Sequence, residues 1–387
     1  MTEAKRKICV VITARPSYSR IKTALEAIRD DQALELQLVV AASAVLTRYG
    51  NVMEQIVDDG FEITEKVFMV LEGQNPTSMA KTTGIGLLEL ATTFSNLKPD
   101  IVVTIADRYE TIATAIAGAY MNIPVAHVQG GEVTGSIDEK VRHAVTKLSD
   151  IHLVASEAAR ERVIRMGENP AAVFCTGCPS VDLAAQVMSR PKLAFDPMQK
   201  YTGVGPKLDL SEGYVVVMQH PVTTEYEQSL RHVWQTLEAM DKQKLPVLWF
   251  WPNSDAGSDG TSSGIRQFRE QGRDSRFHFY KNMSPHDFLR LLLDSRCLVG
   301  NSSVGVRECA FLGVPVVNIG TRQVGRDRGK NVIDADYDVE AISIAVAEQS
   351  EIGRYESDSI YGSGNAGVQI AKILREIPIT NQKRLQF

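Results

Sequence analysis

The sequence comprises 387 residues, of which 44% are hydrophobic and 23% charged, and its formal net charge is -5. Because this length exceeds one typical core, roughly two globular domains are predicted. The slightly acidic balance excludes a general attraction for nucleic acid or membrane surfaces, and no run of residues approaches a membrane span.

Apolar strands alternate with helices through the first half of the chain. Strands are predicted at 7–13, 36–42, 101–105, 125–128, 151–155 and 173–176. Helices are predicted near 17–29, 51–59, 78–97, 108–121, 136–149 and 156–166. The pattern breaks at 189–212, where three prolines stand among polar residues, and this stretch is the predicted linker.

The second half repeats the same alternation. Strands are predicted at 214–219, 246–251, 276–280, 296–299, 314–319 and 331–334. Helices are predicted near 225–241, 262–271, 285–293, 302–312 and 339–348. Alternating strands and helices with apolar strands indicate parallel, doubly wound sheets, so we predict an α/β protein with two Rossmann-like domains and a small-molecule cleft between them.

The N-terminus is too short and too quickly polar for a signal peptide, so we expect a cytoplasmic protein. The five cysteines, an odd count, then indicate reduced thiols. Cys175 and Cys178 are spaced like half of a zinc or redox site, but no second CxxC pair completes four ligands. Two small buried thiols are the expected alternative, and no metal site is predicted.

The stretch 299–330 has the features of a phosphate-binding βαβ unit. Ser302 and Ser303 stand at the predicted start of a helix, whose free N–H groups and positive dipole end would hold a phosphate. Glu308, further along, would accept hydrogen bonds from ribose hydroxyls. An ordinary helix cap is the alternative. A glycine-rich loop with Arg322 and Arg326 follows the next strand and favours the phosphate site.

Two nucleotide-binding motifs are absent. No GxGxxG follows the first strand, and no GxxxxGK[ST] occurs in the chain. Neither a nicotinamide cofactor nor ATP is therefore predicted, and no cofactor is expected.

Charged side chains follow several predicted strands of the first half. Arg15 follows the first strand, where it could reach a diphosphate or simply lie on the surface. Asp107 follows the strand at 101–105, where the alternative to catalysis is a helix N-cap.

The loop after the strand at 125–128 is rich in titratable groups. Candidates for acid, base and charge-stabilising roles are Glu132, Asp138, Arg142 and His143. The alternative for Asp138 and Arg142, which are four apart on one predicted helix, is a simple ion pair.

Polar side chains also follow strands of the second half. His220 ends the strand at 214–219, in the position that Asp107 takes in the first half. Asn253 and Asp255 follow the strand at 246–251 and suit sugar or base hydroxyls.

Together these motifs give the chain a specific resemblance. Residues 8–376 resemble the hydrolysing UDP-N-acetylglucosamine 2-epimerases of sialic-acid-type sugar biosynthesis. The motifs that carry it, in order along the chain, are Ala14-Arg-Pro16, Asp107-Arg108, Gly130 to Asp138, Arg142-His143, Gln219-His-Pro221, Pro252-Asn253 with Asp255-Ala-Gly257, Gly300 to Ser303 with Arg307-Glu308, Gly320 to Gln323 with Gly325-Arg326, and Tyr361 to Asn365.

The resemblance implies a glycosyltransferase-B-type fold with domains 1–185 and 186–365, the first completed by the C-terminal helix at 366–387. It implies that UDP-N-acetylglucosamine is converted to N-acetylmannosamine and UDP through a glycal, and that the enzyme is a homodimer or homotetramer.

The resemblance also assigns roles to residues. Asp107 and Asp138 would assist removal of the C2 proton, and Glu308 would hold the ribose. Arg15, His220, Arg322 and the helix start at Ser302-Ser303 would stabilise the leaving diphosphate.

One position departs from the family pattern. Many members have Glu-Gly-Gly-Glu where this chain has Gln129-Gly-Gly-Glu132. A neutral amide cannot take a proton at pH 7, so either Glu132 supplies the missing carboxylate or Gln129 is adapted to a different sugar, such as a UDP-diacetamido-trideoxy sugar.

Two other functions are weighed against the epimerase. A sugar transferase of the same architecture would require an acceptor, because a fold does not determine a function. A protein that senses a nucleotide sugar would bind it without turnover.

Overall fold

The computed structural model describes residues 4–47, 51–73, 75–105, 108–133, 137–189, 193–252, 257–380 and 382–386. The chain divides into two compact units. The N-terminal unit comprises Met1–Val133, Ile137–Asp182 and Tyr361–Phe387, and the C-terminal unit comprises Leu183–Ile360. No described helix has the length and apolar composition that a bilayer span requires.

The N-terminal unit contains a seven-stranded parallel sheet in the order β3-β2-β1-β4-β5-β6-β7. Its strands are β1 (Arg6–Ile12), β2 (Leu34–Ala41), β3 (Glu65–Val67), β4 (Ile101–Ile105), β5 (Val125–Val128), β6 (Ile151–Val154) and β7 (Val173–Cys175). The helices are α1 (Arg15–Ser19), α2 (Lys22–Asp30), α3 (Val52–Asp58), α4 (Pro76–Leu97), α5 (Thr111–Tyr120), α6 (Ile137–Leu148) and α7 (Glu157–Arg165). Helix α8 (Pro179–Met188) leads into the second unit.

The C-terminal unit contains a second seven-stranded sheet, in the order β14-β13-β12-β9-β10-β11-β8. Its strands are β8 (Gly203–Val204), β9 (Val215–Met218), β10 (Val247–Phe250), β11 (Phe277–Tyr280), β12 (Cys297–Gly300), β13 (Val316–Ile319) and β14 (Val332–Ala335). Its helices are α9 (Pro197–Lys200), α10 (Ser229–Asp241), α11 (Ser258–Glu270), α12 (Pro285–Asp294), α13 (Glu308–Leu312) and α14 (Val339–Ile352).

Apolar strands explain both sheets. In β1, Ile8, Val10 and Ile12 contribute to one core cluster, while Cys9 and Val11 contribute to another, so the strand is buried on both faces. A parallel sheet requires this two-sided burial. The predicted α/β class with two doubly wound sheets is confirmed.

In each sheet the strand order reverses once. The reversal lies between β1 and β4 in the N-terminal unit, and between β9 and β12 in the C-terminal unit. In doubly wound sheets, ligands bind at the carboxyl ends of the strands beside such a switch point. Ligand-binding residues are therefore expected at the carboxyl ends of the strands beside these two switch points.

Several helices and strands differ from those predicted. The predicted helix at 17–29 is two helices, α1 and α2, separated at Arg20 and Ile21. The predicted linker contains α9 and β8, and β8 pairs antiparallel with β11, so the second sheet is not wholly parallel. Strand β3 and helix α8 were not predicted. Strand β3 has only one apolar residue among its three, which leaves no periodic signal.

The last helix, α15 (Ala366–Glu376), packs against α2 in the N-terminal unit. The Asp182 carboxylate accepts hydrogen bonds from the backbone N–H groups of Ala366 and Gly367, at 2.9 and 2.7 Å. It thereby caps a helix whose own N-cap residue, Asn365, makes no side-chain capping bond. Beyond α15, the Lys383 ammonium pairs with Glu168, which is 3% exposed.

Candidate active site

The switch point of the C-terminal unit depends on one glycine. Gly300 ends β12 beside Met218, the last residue of β9, and has a φ of 133°. A Cβ atom here would lie 2.2 Å from the Met218 carbonyl oxygen. Only glycine therefore allows the two strands to approach this closely at their carboxyl ends.

The next residue, Asn301, joins the two strand-end loops. Its Oδ1 accepts a hydrogen bond from the His220 backbone N–H at 2.7 Å, and its Nδ2 donates to the His220 carbonyl at 2.8 Å. Asn301 is fully buried and His220 is nearly so. The predicted residue His220 is thus held through its main chain at the switch point.

The glycine-rich loop after β13 reaches the same asparagine. Arg322 Nη1 and Gln323 Nε2 both donate to the Asn301 carbonyl oxygen, at 3.1 and 2.8 Å. Arg326 is buried in the same loop. The structure therefore brings His220 and Arg322 to one edge of the sheet through Asn301, and Gln323 contacts the same carbonyl oxygen.

The predicted helix at 302–312 is wrong over its first half. Helix α13 begins at Glu308 and has five residues, and its N-cap position, Arg307, makes no side-chain capping bond. Backbone bonds from Gly305 to Ser302 and from Arg307 to Ser303 form turns instead. Ser302 and Ser303 therefore do not cap a helix, so the prediction that a helix N-terminus holds a phosphate at these serines is wrong.

Ser303 and Glu308 have other contacts. Arg307, 1% exposed, donates from Nη2 to Ser303 Oγ at 2.7 Å. Glu308 Oε2 lies 3.9 Å from Arg307 Nε and accepts no hydrogen bond from the described residues. A buried carboxylate oxygen of this kind suits a ligand hydroxyl donor.

The N-terminal unit places Arg15 and the β5 loop at its own strand ends. Arg15 is half-buried at the start of α1, directly after β1, and burial lowers the pKa of its guanidinium. It remains charged at neutral pH, because the ordinary pKa of arginine is above 12. On the neighbouring strand end, Arg108 Nε pairs with the buried Glu110 at 2.8 Å.

Gln129 is buried and has a left-handed backbone, with a φ of 66°. Its Nε2 donates to the Cys178 sulfur at 2.8 Å, and that sulfur lies 2.9 Å from Ser180 Oγ. All five cysteines are free thiols. Burial raises the pKa of the Cys175 thiol to about 11.

The remaining candidates of this unit surround the start of α6. Glu132 is 3% exposed, and its carbonyl oxygen accepts from Arg142 Nη1 at 2.8 Å. The Glu139 carboxylate, which sequence analysis missed, contacts both Arg142, at 3.3 Å, and His143, at 2.9 Å. Asp138 is half-buried in the first turn of α6.

Three predicted site residues, Asp107, Asn253 and Asp255, lie outside the described residues. Among the residues that are described, no group of three or more histidine, cysteine, aspartate or glutamate side chains could hold a metal ion.

The model of the UDP-N-acetylglucosamine 2-epimerase family matches residues 26–375. The chain belongs to this family. The predicted resemblance is therefore confirmed.

Relatives extend over almost the whole chain. The hydrolysing UDP-N,N'-diacetylbacillosamine 2-epimerase of Legionella pneumophila is 32% identical over 97% of each chain. The UDP-N-acetylglucosamine 2-epimerase of Neisseria meningitidis serogroup B is 30% identical, over 93% of this chain and 92% of that one.

Solved structures of family members share the fold. The UDP-GlcNAc 2-epimerase of Methanocaldococcus jannaschii, solved with UDP-GlcNAc and UDP, has a TM-score of 0.78 and 16% identity, over 95% of this chain and 99% of that one. That of Neisseria meningitidis, bound to UDP-GlcNAc, has a TM-score of 0.76 and 16% identity, with the same coverage. These likenesses confirm the predicted glycosyltransferase-B-type fold.

Proposed function

We propose that this chain is a hydrolysing UDP-sugar 2-epimerase that converts UDP-N-acetylglucosamine and water into N-acetylmannosamine and UDP. The observation that carries the proposal is the carboxyl edge of the C-terminal sheet, where His220 and Arg322 converge on Asn301. Glu308, the first residue of α13, has a carboxylate oxygen that accepts no hydrogen bond from the described residues. Cationic and donor groups at a switch point suit a diphosphate, and the carboxylate suits a ribose.

The reaction needs the diphosphate to leave first. The C2 hydrogen of an acetamido sugar is not acidic, so a base near C2 works only if the C1–O bond breaks ahead of proton transfer. The bonding electrons leave with UDP, and loss of the C2 proton forms the C1–C2 double bond of a glycal. Water then adds a hydroxyl at C1 and a proton at C2 from the opposite face, which gives the manno product.

In this proposal two groups of residues hold the nucleotide part of the substrate. Arg15, His220, Arg322 and Arg326 stabilise the leaving diphosphate, and Glu308 contacts the ribose of the nucleotide.

The acid–base groups come from the N-terminal unit. Asp107, Asp138 and Glu132 are the proposed carboxylates for proton transfer. Arg142 and His143 both contact the Glu139 carboxylate and stabilise charge near these groups. Gln129 donates its amide hydrogen to Cys178, and an amide cannot act as a base, so we assign the proton-transfer role at this position to Glu132. Asn253 and Asp255 are proposed contacts to the base or sugar.

The test is product analysis in deuterated water. We expect UDP and N-acetylmannosamine, with deuterium at C2 seen by NMR, and turnover that survives EDTA. UDP release that requires an acceptor would indicate a sugar transferase instead. Saturable binding without UDP release would indicate a sensor, and loss of turnover in EDTA that a divalent ion restores would contradict the metal-free mechanism.

A second candidate is the same chemistry on a UDP-2,4-diacetamido-trideoxy sugar. The observation that favours it is the 32% identity, over 97% of each chain, to the Legionella enzyme that is named for UDP-N,N'-diacetylbacillosamine. The values of kcat/KM on both nucleotide sugars separate the two substrates. The proposal also includes a cytoplasmic location and a homodimer or homotetramer, whose mass light scattering would measure.

A further inference from the structure

Asn301 is where loops from neighbouring strands meet. Its side chain bonds the His220 main chain after β9, and its carbonyl oxygen accepts from Arg322 and Gln323 after β13. One residue thus contacts the carboxyl-end loops of β9 and β13, the two strands that flank β12 in the sheet.

The chemistry of these contacts requires an amide. Oδ1 accepts from an N–H while Nδ2 donates to a carbonyl of the same residue, His220. A carboxylate would oppose the His220 carbonyl with a second acceptor, and an aliphatic side chain would leave both backbone groups unsatisfied. Because the side chain is 0% exposed, water cannot easily replace either bond.

We propose that Asn301 is a positioning residue for the diphosphate of the nucleotide sugar, which it serves by fixing His220 and Arg322 relative to each other. This inference rests on the proposed function. Asn301 does not bind UDP itself, because its side chain is fully buried and both Oδ1 and Nδ2 are engaged by the His220 main chain. Preorganised donors bind a developing anion better than mobile ones, since no ordering is needed when the charge forms.

The first measurement is UDP affinity by calorimetry, which does not depend on turnover. We expect Asn301→Ala to raise the UDP dissociation constant at least about tenfold, at a temperature where circular dichroism shows a folded protein. If the alanine variant is insoluble, Asn301→Ser provides the same comparison.

Gln349 provides the matched control. It is also a fully buried carboxamide of this unit, and its Nε2 donates to the carbonyls of Val316 and Asn331 at 3.3 and 3.5 Å. Gln349→Ala should lower the melting temperature but leave the UDP dissociation constant within about twofold, since it loses buried hydrogen bonds away from the strand-end loops. Equal loss of UDP affinity in both variants would reduce Asn301 to a structural role.

A double-mutant cycle with His220→Ala tests the coupling. His220→Ala removes the imidazole and keeps the main-chain groups that Asn301 binds. If Asn301 acts through the imidazole of His220, then Asn301→Ala should weaken UDP binding clearly less in the His220→Ala background than alone. Independent, multiplying effects would overturn the inference. Wild-type protein that binds no UDP would refute the proposed function, whereas normal UDP binding by Asn301→Ala would refute only this inference.

Discussion

The strand-end loops of the C-terminal sheet converge on a neutral amide, Asn301, and carry the cations Arg322 and Arg326. The corresponding loops of the N-terminal sheet contain the buried carboxylates Glu110 and Glu132, and helix α6, which follows the second of these loops, places Glu139 beside Arg142 and His143. The two sheets have the same order of strands around their switch points. Side chains at the strand ends, not strand topology, therefore divide the proposed work into anion binding and proton transfer.

The largest effect is expected in the N-terminal carboxylates. Asp107→Asn and Glu132→Gln should each keep the fold and lower kcat at least about a hundredfold, the usual scale for losing a general acid–base group. Glu161→Gln, on the exposed face of α7, is the control with unchanged kcat. Steady-state kinetics measure both values. An active Glu132→Gln enzyme would leave Asp107 and Asp138 as the acid–base pair.

A smaller effect of a different kind is expected at Glu308. Glu308→Ala should raise KM about tenfold with little change in kcat, because ribose contacts are felt alike by the ground state and the transition state. Glu308→Gln, which keeps an acceptor oxygen, should lie between the alanine variant and wild type. A fall in kcat with unchanged KM would move Glu308 from nucleotide binding to chemistry and break the division between the two edges.

The stability of the N-terminal unit should be sensitive to acid through one carboxyl group, Glu168. Burial alone would raise the pKa of Glu168, but bonds from His152, Lys147 and Lys383 lower it from 4.5 to about 2. A carboxyl whose pKa is depressed on folding stabilises the protein above its unfolded pKa, and this stabilisation is lost as the pH falls from about 4.5 to about 2.

Glu168→Gln removes the titrating group and tests this. We expect a lower melting temperature than wild type at pH 7, by an amount that corresponds to about 1–3 kcal/mol. The difference should shrink as the pH falls below about 4.5, because the wild-type carboxyl becomes protonated and its ion pairs weaken. Melting curves against pH measure it, and a difference independent of pH would contradict the assignment.

The smallest effect is expected at Gln129. Gln129→Glu should change kcat on UDP-N-acetylglucosamine less than about threefold, because the side chain is buried against Cys178 and Glu132 provides the carboxylate. If Gln129 instead binds a 4-acetamido group, the variant should lose roughly 1–3 kcal/mol of transition-state binding on the diacetamido substrate alone. A large gain in kcat would show that position 129 still determines proton transfer.

Local patterns determined most of the fold. Strands β4 and β5 were predicted to the residue, at 101–105 and 125–128, because each is a short, mostly apolar run that follows a proline by one or two residues. The alternation of such strands with helices was sufficient for two doubly wound sheets, because a parallel strand pair needs a crossover and buries both faces. The motifs at the strand ends were sufficient to identify the family.

Only the tertiary structure decided how the site is built. Ser302 and Ser303 have the local signal of a helix cap, yet the chain turns there, because a tight turn around Gly305 packs against Val316. The partners of Gln129 and Asn301 are Cys178 and His220, which lie 49 and 81 residues away in sequence. A side chain's hydrogen-bond partner depends on which loops the folded sheet brings together, and no pattern of neighbouring residues encodes that distance.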